Sequence, residues 1–144
     1  MRTEQQMKAK WYLQQAFKIN ELITSKIEEL NELKILSTSL PSTDFSQERV
    51  QKTKSLEAKF TKYVISIVDL EKKIDEEMAQ LMELKIEIRE KIHQVEDSKR
   101  RIVLQYRYMN FMKWEEIAKK MSYSIKQLHR IHNDALTDIS VFIS

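Results

Sequence analysis

The side chains best suited to chemistry lie near the C-terminal end of the chain, where cationic and amide groups recur at helical spacing. Five of them fall on or beside one face of a predicted helix that begins after Ser124. They are Lys126, Gln127, His129, Arg130 and Asn133. Groups of these types bond to base edges in the major groove of double-stranded DNA, and Arg130 is the best candidate for a guanine contact.

A second set of side chains carries positive charge or a hydroxyl group around that helix. The set is Lys99, Arg100, Arg101, Lys119, Lys120 and Ser124. Residues 98–144 hold nine Lys and Arg against four Asp and Glu, and no acidic residue lies between Glu116 and Asp134. Such a distribution is typical of surfaces that contact DNA phosphates, although the same cations could simply be solvated.

The local pattern predicts two short helices joined by a tight turn. Residues 114–121 form one amphipathic helix, Ser122 and Tyr123 make the turn, and Ser124 caps the next helix. Ala118 is small enough to let a neighbouring helix approach closely. The buried face of the last helix is predicted to comprise Leu128, Ile131, Ala135, Leu136 and Ile139.

This spacing resembles region 4 of the sigma-70 family of bacterial transcription factors, over about a third of the chain. The matching residues are Leu104, Arg107, Tyr108, Glu116, Ile117, Ala118, Met121, Tyr123, Ser124, Leu128, Ile131, Ala135 and Leu136. Ser122 stands where many helix-turn-helix proteins have Gly. The base-contacting positions also differ from the family's usual set, which is richer in Arg and Glu, so the resemblance does not imply a standard promoter element.

The first 97 residues contain no counterpart of the sigma region that melts promoter DNA, which argues against a complete sigma factor. The architecture resembles phage-encoded transcriptional regulators of Gram-positive bacteria, of the ArpU and RinA kind. The resemblance implies a DNA-binding transcriptional regulator that also contacts bacterial RNA polymerase. Two alternatives stay open: the DNA-recognition small subunit of a phage packaging terminase, and a coiled-coil scaffold protein.

Composition indicates an all-α fold: a long antiparallel helical hairpin or coiled coil followed by a sigma-70 region 4-like helix-turn-helix module. The chain has 144 residues, no Gly, one Pro and no Cys, so tight β-turns and disulfides are not expected. Neither a signal peptide nor a membrane span is evident. We expect a soluble protein of the bacterial cytoplasm.

Apolar periodicity predicts a first helix over residues 3–36, a loop over 37–43 and a second long helix over 45–97, capped by Asp44 with Gln47. We expect residues 1–97 to form an oligomerisation region and residues 98–144 to form the DNA-binding domain. The first helix is expected to cover only the N-terminal half of the second, which leaves Met78 to Val95 without a partner. A homodimer or higher homo-oligomer would supply one.

No pattern in the sequence indicates catalysis. Nucleophile–base pairs and Gly-rich phosphate loops are missing, and acidic pairs such as Glu76-Glu77 fall on predicted solvated faces. His129 and His132 are three apart but lack a third ligand, so neither a metal site nor a cofactor is expected. His132 is predicted to lie on the surface, whereas Trp11 is predicted to pack within the hairpin.

Overall fold

A computed structural model describes residues 2–39 and 49–143, except for the side chains of residues 49–53. Their regular secondary structure is entirely helical, which confirms the all-α prediction for this part of the chain. The elements are α1 (Glu4–Thr38), α2 (Arg49–His93), α3 (Ser98–Leu104), a π-helical segment (Gln105–Met109), α4 (Trp114–Met121) and α5 (Ile125–Ser140). None of these helices has a stretch that is both apolar and long enough to cross a bilayer.

The two long helices differ in extent from their predicted bounds. α1 continues through Ser37 and Thr38, the start of the predicted loop, and α2 ends at His93 rather than at Asp97. α2 runs through Met78 without a break. Residues 40–43 of the predicted loop and the Asp44–Gln47 capping box lie outside the described residues.

The chain divides into two compact units. One, here called the terminal unit, combines Met1–Asn20 with Gln80–Ser144, and the other, the two-helix unit, is Glu21–Ala79. The terminal unit therefore includes residues on both sides of position 97. The division into an oligomerisation region before this position and a DNA-binding domain after it stays a prediction.

The main core of the terminal unit brings together both ends of the chain. Apolar side chains of α1 and the last part of α2 pack against those of the C-terminal helices, and all of them are at most 2% exposed. They are Ala9, Leu13, Ala16, Ile88, Ile92, Val95, Leu104, Tyr108, Ala135, Leu136 and Ile139. At ~25 cal/mol per Å², burial of this set is a large favourable term in folding.

For Ile88 to Val95, this core corrects the expectation that Met78 to Val95 would lack cover within one chain, whereas Met78 itself is 51% exposed. Ile88, Ile92 and Val95 are buried, because the N-terminal part of α1 and the helices that follow α2 pack over them. Periodicity showed that this part of α2 needed a partner. It could not show that the partner was the same chain.

In the two-helix unit, α1 and α2 pair in antiparallel fashion. Lys26 forms a hydrogen-bonded ion pair with Glu77, and the Nζ of Lys34 lies 3.6 Å from Oε1 of Glu71. From the first pair to the second, the residue number rises on α1 and falls on α2, as expected for an antiparallel hairpin.

The connection from α3 to α4 contains a π-helical segment and a left-handed residue. The helix widens into the π-helical segment, whose end is marked by the Asn110 N–H donating to the carbonyl of Gln105 at 3.1 Å, and Asn110 has a φ of −94°. Phe111 takes the left-handed conformation instead, with a φ of 54°. Its ring packs edge-on against Phe17, with the ring centroids 5.8 Å apart.

Candidate nucleic-acid interface

A second, smaller core in the terminal unit holds α4 against α5. Val103, Ile117 and Leu128 are fully buried there, and Ala118 is 7% exposed. Ala118, predicted from its size to face a neighbouring helix, belongs to the same buried cluster as Leu128 of α5. Trp114, Met121 and Ile131 pack around this cluster as half-buried side chains. The buried face predicted for α5 is confirmed at Leu128, Ala135, Leu136 and Ile139.

The turn between α4 and α5 depends on Ser122. Its φ of 59° places it in the left-handed region, at the position where helix-turn-helix proteins commonly carry Gly. The N–H of Tyr123 donates to the carbonyl of Ala118 at 3.0 Å, so the turn satisfies a carbonyl group at the end of α4.

The start of α5 is fixed by a capping box. The N–H of Gln127 donates to Oγ of Ser124 at 3.1 Å, and the N–H of Ser124 donates to Oε1 of Gln127 at 3.1 Å. The N-cap predicted at Ser124 is thereby confirmed. Both side chains thus have a structural role in addition to the DNA contacts predicted for them.

The five side chains predicted to contact bases have different surroundings. Lys126, Gln127 and Arg130 are exposed, whereas His129 and Asn133 are half-buried. The ring centroid of His129 lies 4.9 Å from that of Trp114, and Oδ1 of Asn133 accepts a hydrogen bond from Nε of Arg2 at 3.0 Å. The exposed three are therefore the most accessible to a ligand.

Lys99, Lys119 and Lys120, which are predicted to contact phosphates, are exposed. The Nζ of Lys120 lies 5.1 Å from the ring centroid of Tyr106, and the Nζ of Lys99 lies 6.0 Å from that of Tyr123. Both lysines thus rest near aromatic rings while their charges stay accessible.

The two neighbouring arginines of the predicted phosphate-contacting set bond within the protein. Nη1 of Arg100 donates to Oδ2 of Asp138 at 2.9 Å, and Nη2 lies 3.8 Å from Oδ2 of Asp134. Nη2 of Arg101 donates to the carbonyl of Glu96 at 3.2 Å. Arg100 would have to leave its carboxylate partners to contact a phosphate.

His132 is not a surface residue, contrary to the sequence-based expectation. It is fully buried, and its Nε2 lies 2.7 Å from the hydroxyl of Tyr108. Burial lowers the pKa of His132 to about 3, with smaller contributions from nearby cations, Arg2 first among them. Burial also raises the pKa of Tyr108. The pair is neutral at physiological pH, and it links α5 to the π-helical segment.

Comparison with protein families finds a match over most of the chain. A profile of the family described as protein of unknown function (DUF1492) matches residues 39–140, which is well over half of the chain. The chain belongs to the DUF1492 family. No curated protein and no solved structure matches it.

In this DUF1492 protein, α1 makes polar contacts with α5 that were not predicted from the sequence. Nε2 of Gln6 donates to Oγ1 of Thr137 at 2.8 Å and to the carbonyl of Asn133 at 3.1 Å. Only the Thr3–Gln6 capping pattern, which marks the start of α1, was visible locally. The partners are more than 120 residues apart, so no local signal could have paired them.

The π-helical segment holds a further cationic group whose contacts were not predicted from the sequence. Cζ of Arg107 lies 4.6 Å from the ring centroid of Trp114, and its Nη1 donates to the carbonyl of Met112 at 2.9 Å. The sequence placed Arg107 in the region 4 resemblance but assigned it no contact. Its position beside Trp114 depends on the fold of the connection from α3 to α4.

Proposed function

We propose that this DUF1492 protein is a DNA-binding transcriptional regulator that binds double-stranded DNA through α5. The observation that carries the proposal is the exposed surface at the start of this helix. Lys126, Gln127 and Arg130 point outward there, while Leu128 anchors the opposite face in the core. Lys126 and Arg130 form no ion pair with any described residue, so their charges are available to DNA.

The proposal includes a helix-turn-helix made of α4, the Ser122–Tyr123 turn and α5. Its support is the buried cluster that Ile117 and Ala118 of α4 share with Leu128 of α5, together with the capped start of α5. From the resemblance to sigma-70 region 4 and to phage regulators, we further propose a phage-encoded protein that acts in the bacterial cytoplasm and contacts RNA polymerase.

A second copy of the chain is proposed as a partner. In the two-helix unit, Phe60, Val64 and Val68 are at least 41% exposed and follow one another at one-turn intervals along α2. Large exposed apolar patches mark interaction surfaces, and a twofold dimer would cover two equal stripes with each other. It would also provide two DNA-binding helices for two half-sites.

The proposal is tested in two steps. A selection from random DNA first identifies a bound sequence, and fluorescence anisotropy at fixed salt then compares variants on it. We expect Arg130→Ala and Lys126→Ala to weaken binding about 5- to 100-fold each, as loss of a good base contact does. Lys62→Ala and Lys72→Ala, exposed on α2, remove the same charge and should have little effect. Equal losses in all four variants would contradict a role for α5 in base recognition.

The exposed apolar stripe on α2 also supports the alternative of a coiled-coil scaffold. A scaffold would oligomerise yet bind no DNA even at low salt, where non-specific binding is strongest. The same experiment therefore separates the two candidates. An assembly of eight or more copies on DNA would instead favour the terminase small subunit.

A further inference from the structure

Two guanidinium groups reach the same side of α5 from distant parts of the chain. Nε of Arg2 donates to Oδ1 of Asn133 at 3.0 Å. Arg107 lies 4.6 Å from the ring centroid of Trp114, and that ring in turn lies 4.9 Å from the ring of His129. Since His129 and Asn133 are one helical turn apart, both arginines flank the same turn of α5.

Lys10 belongs to the same group of cations. It is half-buried on α1, and burial is the largest cause that lowers its pKa, followed by repulsion from Arg2 and from Arg107. The same three cations also act on the buried imidazole of His132. Lys10 lies one helical turn after Gln6, whose Nε2 donates to the carbonyl of Asn133 and to Oγ1 of Thr137, so Lys10 is on the face of α1 that meets α5. Repulsion from Arg2 and Arg107 agrees with this placement.

No acidic side chain neutralises this group within the described residues. Neither Arg2, Lys10 nor Arg107 forms an ion pair there. The two carboxylates of α5, Asp134 and Asp138, bond to Arg100 instead. Half-buried cations that repel one another without a counter-charge lower the stability of the free protein, and an incoming anion would relieve the repulsion.

We infer that Arg2, Lys10 and Arg107 form a phosphate-binding cluster that receives the DNA backbone beside α5. This inference rests on the proposed function, because α5 brings the cluster to the DNA. Arginine binds phosphate oxygens through paired N–H groups, and Arg2 has its Nη atoms left for this purpose while its Nε holds Asn133. In this arrangement α1 is a part of the DNA-binding surface as well as a part of the core.

A cluster of this kind has a signature that a purely structural role would not produce. Removal of Lys10 takes away repulsion in the free protein, so Lys10→Ala should keep or raise the Tm while it weakens DNA binding. Lys10→Arg should retain the affinity, because it keeps the charge. A side chain needed only for packing would lower the Tm when truncated and would leave the salt dependence of binding unchanged.

The test measures affinity for the selected DNA at several salt concentrations in Arg2→Ala, Lys10→Ala and the double variant. Lys8→Ala and Lys18→Ala are the matched controls, because both lysines are exposed on α1 and carry the same charge. We expect each of the two single variants to bind at least about fivefold more weakly and to reduce the salt slope by about 1 per lost phosphate contact. Arg107 is kept intact, since its bond to Met112 helps to hold the α3–α4 connection.

The outcomes separate this inference from the proposed function. If the wild-type protein binds DNA, and Arg2→Ala and Lys10→Ala match the Lys8→Ala control in affinity and salt slope, the cluster inference is wrong and the proposed function stands. If the wild-type protein binds no DNA, both fail. A titration with inorganic phosphate at constant ionic strength covers the other source of the anion. Phosphate could raise the Tm of the wild-type protein but not that of Lys10→Ala, while Lys10→Ala binds DNA as tightly as the wild type does. That combination would overturn the assignment to DNA.

Discussion

The two compact units of this protein use their apolar side chains in opposite ways. In the terminal unit, five α-helices and the π-helical segment cover one another and bury side chains such as Leu13, Ile92 and Leu136. In the two-helix unit, Ile23, Leu70 and Ile74 are the buried apolar side chains among the described residues, whereas Leu36 and Ile65 are 59% and 56% exposed. One unit has a closed core, and the other has an open apolar face.

The difference shows what a long helix needs. Helical stability in water comes mainly from tertiary packing, and two helices alone can bury only one stripe of each other. The terminal unit adds α3, α4 and α5 to the same pair of helices, and so covers their apolar stripes more fully. The two-helix unit has no such cover in the described chain, which is why we propose that a second copy supplies it.

The largest expected effect is a core truncation that contrasts the two units. Leu128→Ala removes a fully buried side chain of the terminal unit and should lower the free energy of unfolding by about 2–5 kcal/mol. Leu36→Ala makes the same chemical change in the two-helix unit, where the side chain is 59% exposed, and should cost less than about 1 kcal/mol. Urea unfolding of both variants at one protein concentration measures the contrast. Equal losses would show that the two-helix unit is as well covered as the core.

Local signals explain how much of this contrast could be predicted from the sequence. The capped start of α5, the burial of Leu128, Ala135, Leu136 and Ile139 and the extent of α4 follow from residues within a few positions of one another, and these were predicted correctly. The helices of the hairpin were also predicted, because their apolar residues repeat every three or four positions. These features depend on backbone hydrogen bonding and on amphipathicity, which the sequence displays directly.

What could not be predicted depends on contacts between distant residues. His132 is buried because Tyr108 and Trp114 enclose it, and Ile92 is covered because α1 returns to it. Trp11, predicted to pack in the hairpin, is instead 60% exposed, since the buried positions of α1 near it are Ala9 and Leu13. A periodic stripe shows that a face is apolar, but it does not show which face another element will choose.

The open face of the two-helix unit gives the next prediction. If a second copy covers it, Val68→Asp places a charge in the interface and should raise the dimer dissociation constant at least about tenfold, a cost of about 1.4 kcal/mol. Ser66→Asp, also exposed on α2, is the control for the added charge and should change it little. Sedimentation equilibrium measures both. A monomeric wild-type protein at micromolar concentration would rule out this proposal and leave the face unexplained.

The closed core of the terminal unit should also respond to pH through His132. Its pKa is lowered to about 3 in the folded protein, so below pH 6.5 the unfolded chain binds a proton that the folded protein does not. Stability should therefore fall as the pH drops from 6.5 toward 3, by up to about 1.4 kcal/mol per pH unit.

The pH prediction is checked by urea unfolding at pH 7 and pH 5 in the wild type and in His132→Gln. The variant lacks the titrating group, so its stability should fall less over this interval even if it is less stable at pH 7. NMR of the wild type should show a His132 ring that stays neutral at pH 5. A normal titration of this ring near pH 6.5 would contradict the burial of the histidine.

The smallest expected effect comes from replacing Ser with Gly, which should change the free energy of unfolding in opposite directions in the two units. Ser122 holds a left-handed φ of 59° in the terminal unit, and Gly adopts this conformation without strain, so Ser122→Gly should raise the free energy of unfolding by up to about 1 kcal/mol. Ser55 is exposed within α2, where Gly is a poor helix former, so Ser55→Gly should lower it by about 0.5 kcal/mol. Thermal unfolding of both variants gives the two signs. A loss of stability in Ser122→Gly would mean that the turn between α4 and α5 does not require a left-handed residue, and the helix-turn-helix proposal would lose that support.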